Sequence, residues 1–291
     1  MTTLGPGALW PKRQPRGGGS SIWARGQAGK ERRQPVEDAI ARLEGVRIFN
    51  VLTDIWHRRG GLTRTNLQHD SLLSERLTLP ITVLTLDFDP DFRDSERRLR
   101  EVGIIGRGVV VRNLYEDAGL YDTPVTGFFG ENVETADSAA APLSSIRMLE
   151  DTAWETERED RDADNRLIRT LRSSDGKLVR RDFHDLAGRA RRVELLDAEK
   201  GTVARRWMID TQNAVRVETV RSDSAPGSWS IRFHGADGRV VRSFDSQRSM
   251  HTEWLDSYAV GCKESVFHVA SERALVVRAV AEMHSPGVAK V

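Results

Sequence analysis

Helical periodicity disappears from this chain at about residue 151 and returns only after about residue 245. In its place come short alternating runs separated by turn signals: Ser174-Asp175-Gly176, Leu186-Ala187-Gly188, Glu199-Lys200-Gly201 and Ala236-Asp237-Gly238. The runs include 178–183, 191–196, 203–209, 215–220, 229–233 and 240–244, each of strand length. Strands joined by such short turns must lie antiparallel, because a parallel return needs a crossover of about a dozen residues or more. An antiparallel meander is therefore predicted. Residues 175–183 and 237–244 are near copies, which points to a degenerate hairpin repeat. The many arginines of these strands are expected on one solvated face, with Trp, Val and Phe packed on the other.

The flanking segments follow a different grammar. Residues 46–56 are apolar on both faces through Val46, Ile48, Phe49, Val51, Leu52 and Ile55, as in a central parallel strand. A helix is predicted over 63–77, with Thr65-Asn66-Leu67-Gln68 as a capping box and Leu72, Leu73 and Leu77 on its apolar side. A strand at 81–88 is broken by Asp89-Pro90-Asp91, a charged helix at 92–102 is stopped by Gly103, and a third strand follows at 109–114. After the meander come a helix at 248–260, a strand at 266–269, a helix at 271–283 capped by Ser271, and a strand from 288. The predicted fold class is α/β: a single Rossmann-like parallel sheet interrupted by a large antiparallel β-meander. The domain reading is a basic leader at 1–45, the first part of the α/β domain at 46–148, the insertion at 149–245 and the second α/β part at 246–291.

Charge is balanced, 44 basic against 43 acidic residues. That argues against a dedicated nucleic-acid or membrane-surface protein, and no aromatic stacking motif accompanies the arginines. The single cysteine, Cys262, excludes an internal disulfide framework and a thiolate-rich zinc site, and fits a reducing cytoplasm. No transmembrane segment is expected, since no apolar run approaches the ~20 residues a helical span requires. The first 35 residues hold seven Lys or Arg against one acid, with seven glycines and four prolines. They read as a disordered leader, the alternative being a basic tether to nucleic acid or anionic lipid.

Chemistry concentrates where the first strand runs into Gly60-Gly61 and then a helix. Residues without Cβ atoms can turn successive N–H groups toward an anion and let it come close, and a helix N-terminus adds its dipole. The plain alternative is a tight strand–helix turn. Arg58, Arg64 and His57 lie beside the loop, and Thr63 either offers a hydroxyl to a substrate or caps the helix. Asp54 and Glu272 are the acids of note in the α/β part. No pair of histidines has the i, i+4 spacing of a helical metal site, and no P-loop or nucleophile elbow is present. No metal, no cofactor and no catalytic residue are assigned.

The Gly60-Gly61-Leu62-Thr63-Arg64 loop after the first strand, the second strand Ile81-Thr82-Val83-Leu84-Thr85-Leu86-Asp87-Phe88 and the long inserted meander together resemble a known arrangement. It is the amino-terminal half of the retaining GT-B glycosyltransferases of family 4, in the branch that glycosylates wall teichoic acid or Ser-rich surface proteins. The resemblance covers 46–291. It implies a nucleotide-sugar donor whose diphosphate meets Gly60 and Gly61, with Thr63 and Arg64 beside it, and a polymer or protein acceptor. It also implies that the inserted sheet serves oligomerisation or acceptor binding. Unpaired strand edges of the meander invite association, so a homo-oligomer built through 151–245 is expected. Members of that family continue into a second Rossmann domain that holds the donor. The chain therefore reads as truncated and inactive alone, or as partner of a separate carboxy-terminal half. The alternative is a non-catalytic oligomerisation or polymer-binding module.

Overall fold

The computed structural model describes residues 45–55, 61–121, 154–222, 228–235, 237–270 and 273–291. The leader reading, the 148/149 boundary, Trp56–Gly60, Ser271 and Glu272 lie outside them. Two sheets organise the described residues. Five parallel strands, β1 (Val46–Leu52), β2 (Ile81–Thr85), β3 (Val109–Asn113), β12 (Glu264–Val269) and β13 (Val288–Lys290), lie in the order β13-β12-β1-β2-β3. Between β3 and β12 in sequence, eight antiparallel strands follow one another in chain order: β4 (Thr156–Arg161), β5 (Leu167–Ser174), β6 (Lys177–His184), β7 (Ala190–Leu196), β8 (Val203–Ile209), β9 (Val215–Arg221), β10 (Trp229–His234) and β11 (Val240–Phe244). The fold is the predicted Rossmann-like parallel sheet with a β-meander inserted.

The helices α1 (Leu62–Leu77), α2 (Phe92–Glu101), α3 (Leu114–Asp117), α4 (Gln247–Ala259) and α5 (Ala274–Ala281) provide the crossovers. Phe49 of β1 stacks on Phe267 of β12 at 4.6 Å and meets Tyr258 of α4 edge-on, so α4 covers that face. On the other face, buried Asn50 donates to Asp70 of α1 at 2.5 Å. Burial pushes the Asp70 carboxyl up, and the Asn50 hydrogen bond opposes that shift. The inner side of α1 is Leu67, Asp70 and Ser74, whereas Leu72 is 58% exposed. The expected apolar stripe is thus displaced, because a polar pair replaces part of the usual leucine contact. The capping box is also corrected. Gly61 is the N-cap, Thr63 and Thr65 lie inside the helix, and the Thr65 hydroxyl donates back to the Gly61 carbonyl at 3.1 Å.

Regular turns hold the meander. Asp175 and Gly176, both at positive φ, form the two-residue β5–β6 hairpin, the conformation that favours Asp-Gly. Three longer turns share another device. Asp162, Asp185 and Asp210 each accept backbone N–H groups two and four residues on, while Asn165, Gly188 and Asn213 supply the left-handed residue. This is where the repeat lies. Residues 175–183 and 237–244, alike in sequence, sit after turns of different length, since Gly235 donates to Arg239 across the β10–β11 connection.

The meander joins the α/β part through one face, where Met208, Val217, Ile231, Phe233 and Phe244 share the core of the parallel sheet. A smaller cluster of Val193, Trp207, Ile209 and Val215 lies on the opposite face. The expected division into an arginine face and an apolar face therefore fails. Arg180 and Arg191 are buried, because buried Asp182 and Asp185 and a backbone carbonyl meet their guanidinium groups.

Candidate functional site

The strand order reverses between β1 and β12, with β2 and β3 on one side and β13 on the other. In open α/β sheets the crevice outside the carboxyl ends of the strands at such a reversal is where ligands bind. The elements that build this edge are the β1–α1 loop, the segment after β2 and the segment after β12. The Thr53 carbonyl accepts from the N–H groups of Leu86 and Asp87, at 3.2 and 2.8 Å, which ties the end of β2 to the end of β1. Arg273, after β12, then reaches across to Asp87 at 2.6 Å. Burial pushes the Asp87 carboxyl up, Arg273 pulls it back, and Asp54 pushes in the same direction as burial. Asp54 itself is buried beside the end of β1.

Gly61 closes the loop at φ 72°, ψ −118°, a conformation that side-chain-bearing residues rarely adopt. Among the described residues a Cβ there would meet nothing within 4 Å, so the requirement for glycine is conformational and the described surroundings leave space above it. The first turn of α1 carries no acidic residue. Its leading N–H groups have no acceptor within the helix, as at every helix start, and no carboxylate of its own first turn competes for them. Arg64 is exposed and has no ion-pair partner among the described residues; Thr63 is half-buried. Gly60, His57 and Arg58 lie outside the described residues. Of the sequence candidates, then, Gly61, Thr63 and Arg64 stand together at one helix start. Asp87, Asp89 and Arg273 were not anticipated; the polar ends of strands 81–88 and 266–269 were the signal available.

Asp89 continues this edge. Its Oδ1 accepts from the Asp91 N–H at 2.9 Å, Ser95 stands at 3.3 Å from Oδ2, and Tyr121 donates to its carbonyl. Burial raises the Asp89 carboxyl to about 6. Nearby, a concavity of about 360 Å³ opens between the start of α2 and the β6–β7 turn, where the Leu186 N–H donates to Asp91 at 2.8 Å. The meander is thus bolted to the carboxyl edge of the parallel sheet. Among the described residues, no group of three or more His, Cys, Asp or Glu could hold a metal, and no helix is long and apolar enough to cross a membrane.

No family model matches the sequence, and no curated protein matches it. Solved structures do share the architecture. A variant of S. aureus TarM, in complex with fondaparinux, α-GlcNAc-glycerol and UDP, aligns with TM-score 0.57 at 12% identity, over 84% of this chain and 49% of that one. A second TarM structure aligns with TM-score 0.55 at 14% identity over the same shares. The pneumococcal O-GlcNAc transferase GtfA, in complex with UDP and GlcNAc, aligns at 11% identity with TM-score 0.45, over 84% and 47%. The chain spans about half the length of the structures it matches. At these identities the likeness is one of fold.

Proposed function

We propose that this chain is the acceptor-side half of a nucleotide-sugar-dependent glycosyltransferase that moves a hexosyl group to a cell-wall polymer or a protein. The observation that carries the reading is the shared architecture with TarM, a protein seen with UDP and α-GlcNAc-glycerol bound. The open space over Gly61 and the acid-free helix start fit a diphosphate approaching the β1–α1 loop, with Gly60, Thr63 and Arg64 beside it. Such a reaction depends on positioning and on fixed dipoles that stabilise the departing diphosphate. A donor-holding Rossmann half is proposed to complete the cleft. Isothermal titration of the full chain with UDP-sugars and with teichoic-acid fragments tests this. Nucleotide-sugar binding weakened by Gly61→Val supports the proposal. Polymer binding with no nucleotide binding would replace it with a non-catalytic polymer-binding module.

The meander is proposed as the assembly surface of a homo-oligomer. Its outer edge strand β4 reads Thr156-Glu157-Arg158-Glu159-Asp160-Arg161, a charged sequence that resists edge-to-edge pairing. Assembly is therefore expected through a face of the sheet. Light scattering at tens of micromolar would decide it, a monomer being the contrary result.

A further inference from the structure

The face of the meander that packs on the α/β part also carries a cationic cluster that the core does not explain. Strand registers align Arg181, Glu194, Arg206 and Thr219 across β6 to β9, and Phe183, Arg192, Met208 and Val217 in the next row of the same face. Met208 and Val217 belong to the shared core. Glu194 is buried, and three guanidinium groups converge on it. Nε of Arg206 donates to its Oε1 at 2.9 Å, Nη2 of Arg181 is 2.9 Å from Oε2, and Nε of Arg192 is 3.5 Å from Oε1. Three cations on one carboxylate leave an excess of positive charge. The three side chains are 26, 24 and 22% exposed for Arg181, Arg192 and Arg206, so a small anion can reach them.

Arg192 is the least satisfied of the three. Its guanidinium carbon lies 3.8 Å from the centroid of the Phe183 ring, which fixes the plane of the group and leaves its edge free. The Nε atoms of Arg192 and Arg181 are buried without a hydrogen-bond partner, and among the described residues no acceptor is hydrogen-bonded to the terminal nitrogens of Arg192. Burial lowers the Arg192 pKa, Arg206 adds to that effect, and Glu194, Tyr115 and Asp87 oppose it. Tyr115 and Asp87 follow β3 and β2, so the cluster faces the carboxyl edge of the parallel sheet.

We infer that Arg192, with Arg206 and Arg181, forms an oxyanion subsite for a phosphoryl group, and that Glu194 is the positioning residue that holds the guanidinium forks. A planar, stacked guanidinium with free N–H groups matches paired phosphate oxygens, and a partly buried cation gains most from an anion that arrives with its own hydrogen-bond acceptors. The phosphoryl group belongs either to a nucleoside diphosphate or to the phosphodiester of an anionic polymer. Only the naming of those two sources rests on the proposed glycosyl transfer.

Isothermal titration of the full chain, with UDP and separately with a glycerol phosphate oligomer, tests the subsite in wild type, Arg192→Ala, Arg192→Lys and Arg239→Ala. Arg239 is an 81% exposed turn residue and serves as control. The expected result is that at least one probe binds, that Arg192→Ala weakens it tenfold or more, and that Arg239→Ala leaves it unchanged. Arg192→Lys should remain weakened severalfold, because an ammonium keeps the charge and loses the fork. It carries the test if circular dichroism shows that the alanine variant is unfolded. Weakening of UDP alone assigns the subsite to the donor, and weakening of the oligomer alone assigns it to the acceptor. Equal affinities in wild type and folded Arg192 variants, or no binding of either probe at millimolar concentration, would overturn the inference. UDP binding with neither probe depending on Arg192 removes the subsite and leaves the proposed function standing; oligomer binding that depends on Arg192 without UDP binding does the reverse.

Discussion

Nη2 of Arg191, a residue of the meander strand β7, donates to the main-chain carbonyl of Leu120 in the α/β part at 2.6 Å. The same guanidinium donates from Nε to the Ile209 carbonyl at 2.8 Å, stands 3.4 Å from Asp185 and lies over the Tyr121 ring. One buried cation therefore joins two strands of the meander to the parallel-sheet unit. Arg191→Met keeps most of the volume and removes every one of these donors. Leaving two carbonyls and a buried carboxylate short of partners is expected to cost about 2–4 kcal/mol. Urea unfolding would show the loss as a lower midpoint. An unchanged midpoint would mean that the contact does not secure the meander.

Asp117 makes the second long-range tie. Its Oδ2 accepts from the Trp254 indole at 3.0 Å and from the Tyr258 hydroxyl at 2.6 Å, both on α4. All of this sits in the core, with Asp117 and Trp254 buried. Asp117→Ala orphans two donors and is expected to destabilise by about 2–4 kcal/mol, whereas Asp117→Asn, which keeps one acceptor oxygen, should cost about half as much. Thermal melts followed by near-ultraviolet circular dichroism of Trp254 distinguish the two variants. Equal melting points would remove the carboxylate from the account.

Gly61 separates backbone from side-chain effects. A Cβ meets no atom there, so Gly61→Ala pays only for the positive φ, about 1 kcal/mol of stability. If the loop receives a diphosphate as proposed, the methyl group fills the space the anion needs. UDP affinity should then fall at least fivefold while the melting temperature moves by only a few degrees. A drop in melting temperature with UDP affinity preserved would place glycine there for the turn alone.

Asp89 offers a test through pH. Its carboxyl titrates near 6 in the fold against an ordinary value of 3.8. As pH rises from about 4 to 6 the unfolded chain gives up this proton first, so the group withdraws stability across that window and the deficit persists above it. Asp89→Asn keeps the acceptor for the Asp91 N–H and removes the buried charge. The variant should be more stable than wild type at pH 7.5 by on the order of 3 kcal/mol, with the gap closing below pH 4. A gap independent of pH would point to packing instead.

The parallel sheet was legible because β1 is apolar on both faces and β2, β3 and β12 follow it with helical crossovers. Six meander strands were legible from their alternation. β4 and β5 were not: Glu157, Arg158, Glu159, Asp160 and Arg161 give no apolar period in β4, which faces water on both sides, and Leu167, Ile168 and Leu171 do not alternate in β5. The turns at Asn165 and Asn213 were hidden because asparagine replaces glycine in the left-handed position. The inner side of α1 was misread because Asp70 is satisfied by Asn50, a partner twenty residues away that a helical wheel cannot display. The site divides in the same way. A glycine before a helix start can be read locally, but three arginines converging on Glu194 depend on strand register, which only pairing reveals.

His251 supplies the complementary pH dependence. It lies in α4 at 3% exposure, its Nδ1 has no hydrogen-bond partner, and burial alone lowers its pKa from 6.5 to about 4. As pH falls through that interval the unfolded chain takes up a proton that the folded chain refuses, so stability is lost as the solution is acidified from 6.5 toward 4. The loss is on the order of 3 kcal/mol at the bottom of the window. His251→Phe removes the titrating ring at similar volume. Relative to wild type, the variant should gain stability steadily between pH 6.5 and 4 in urea titrations, with no further relative gain below 4. Parallel stability curves for the two proteins over that range would exclude His251 as the acid-sensitive group.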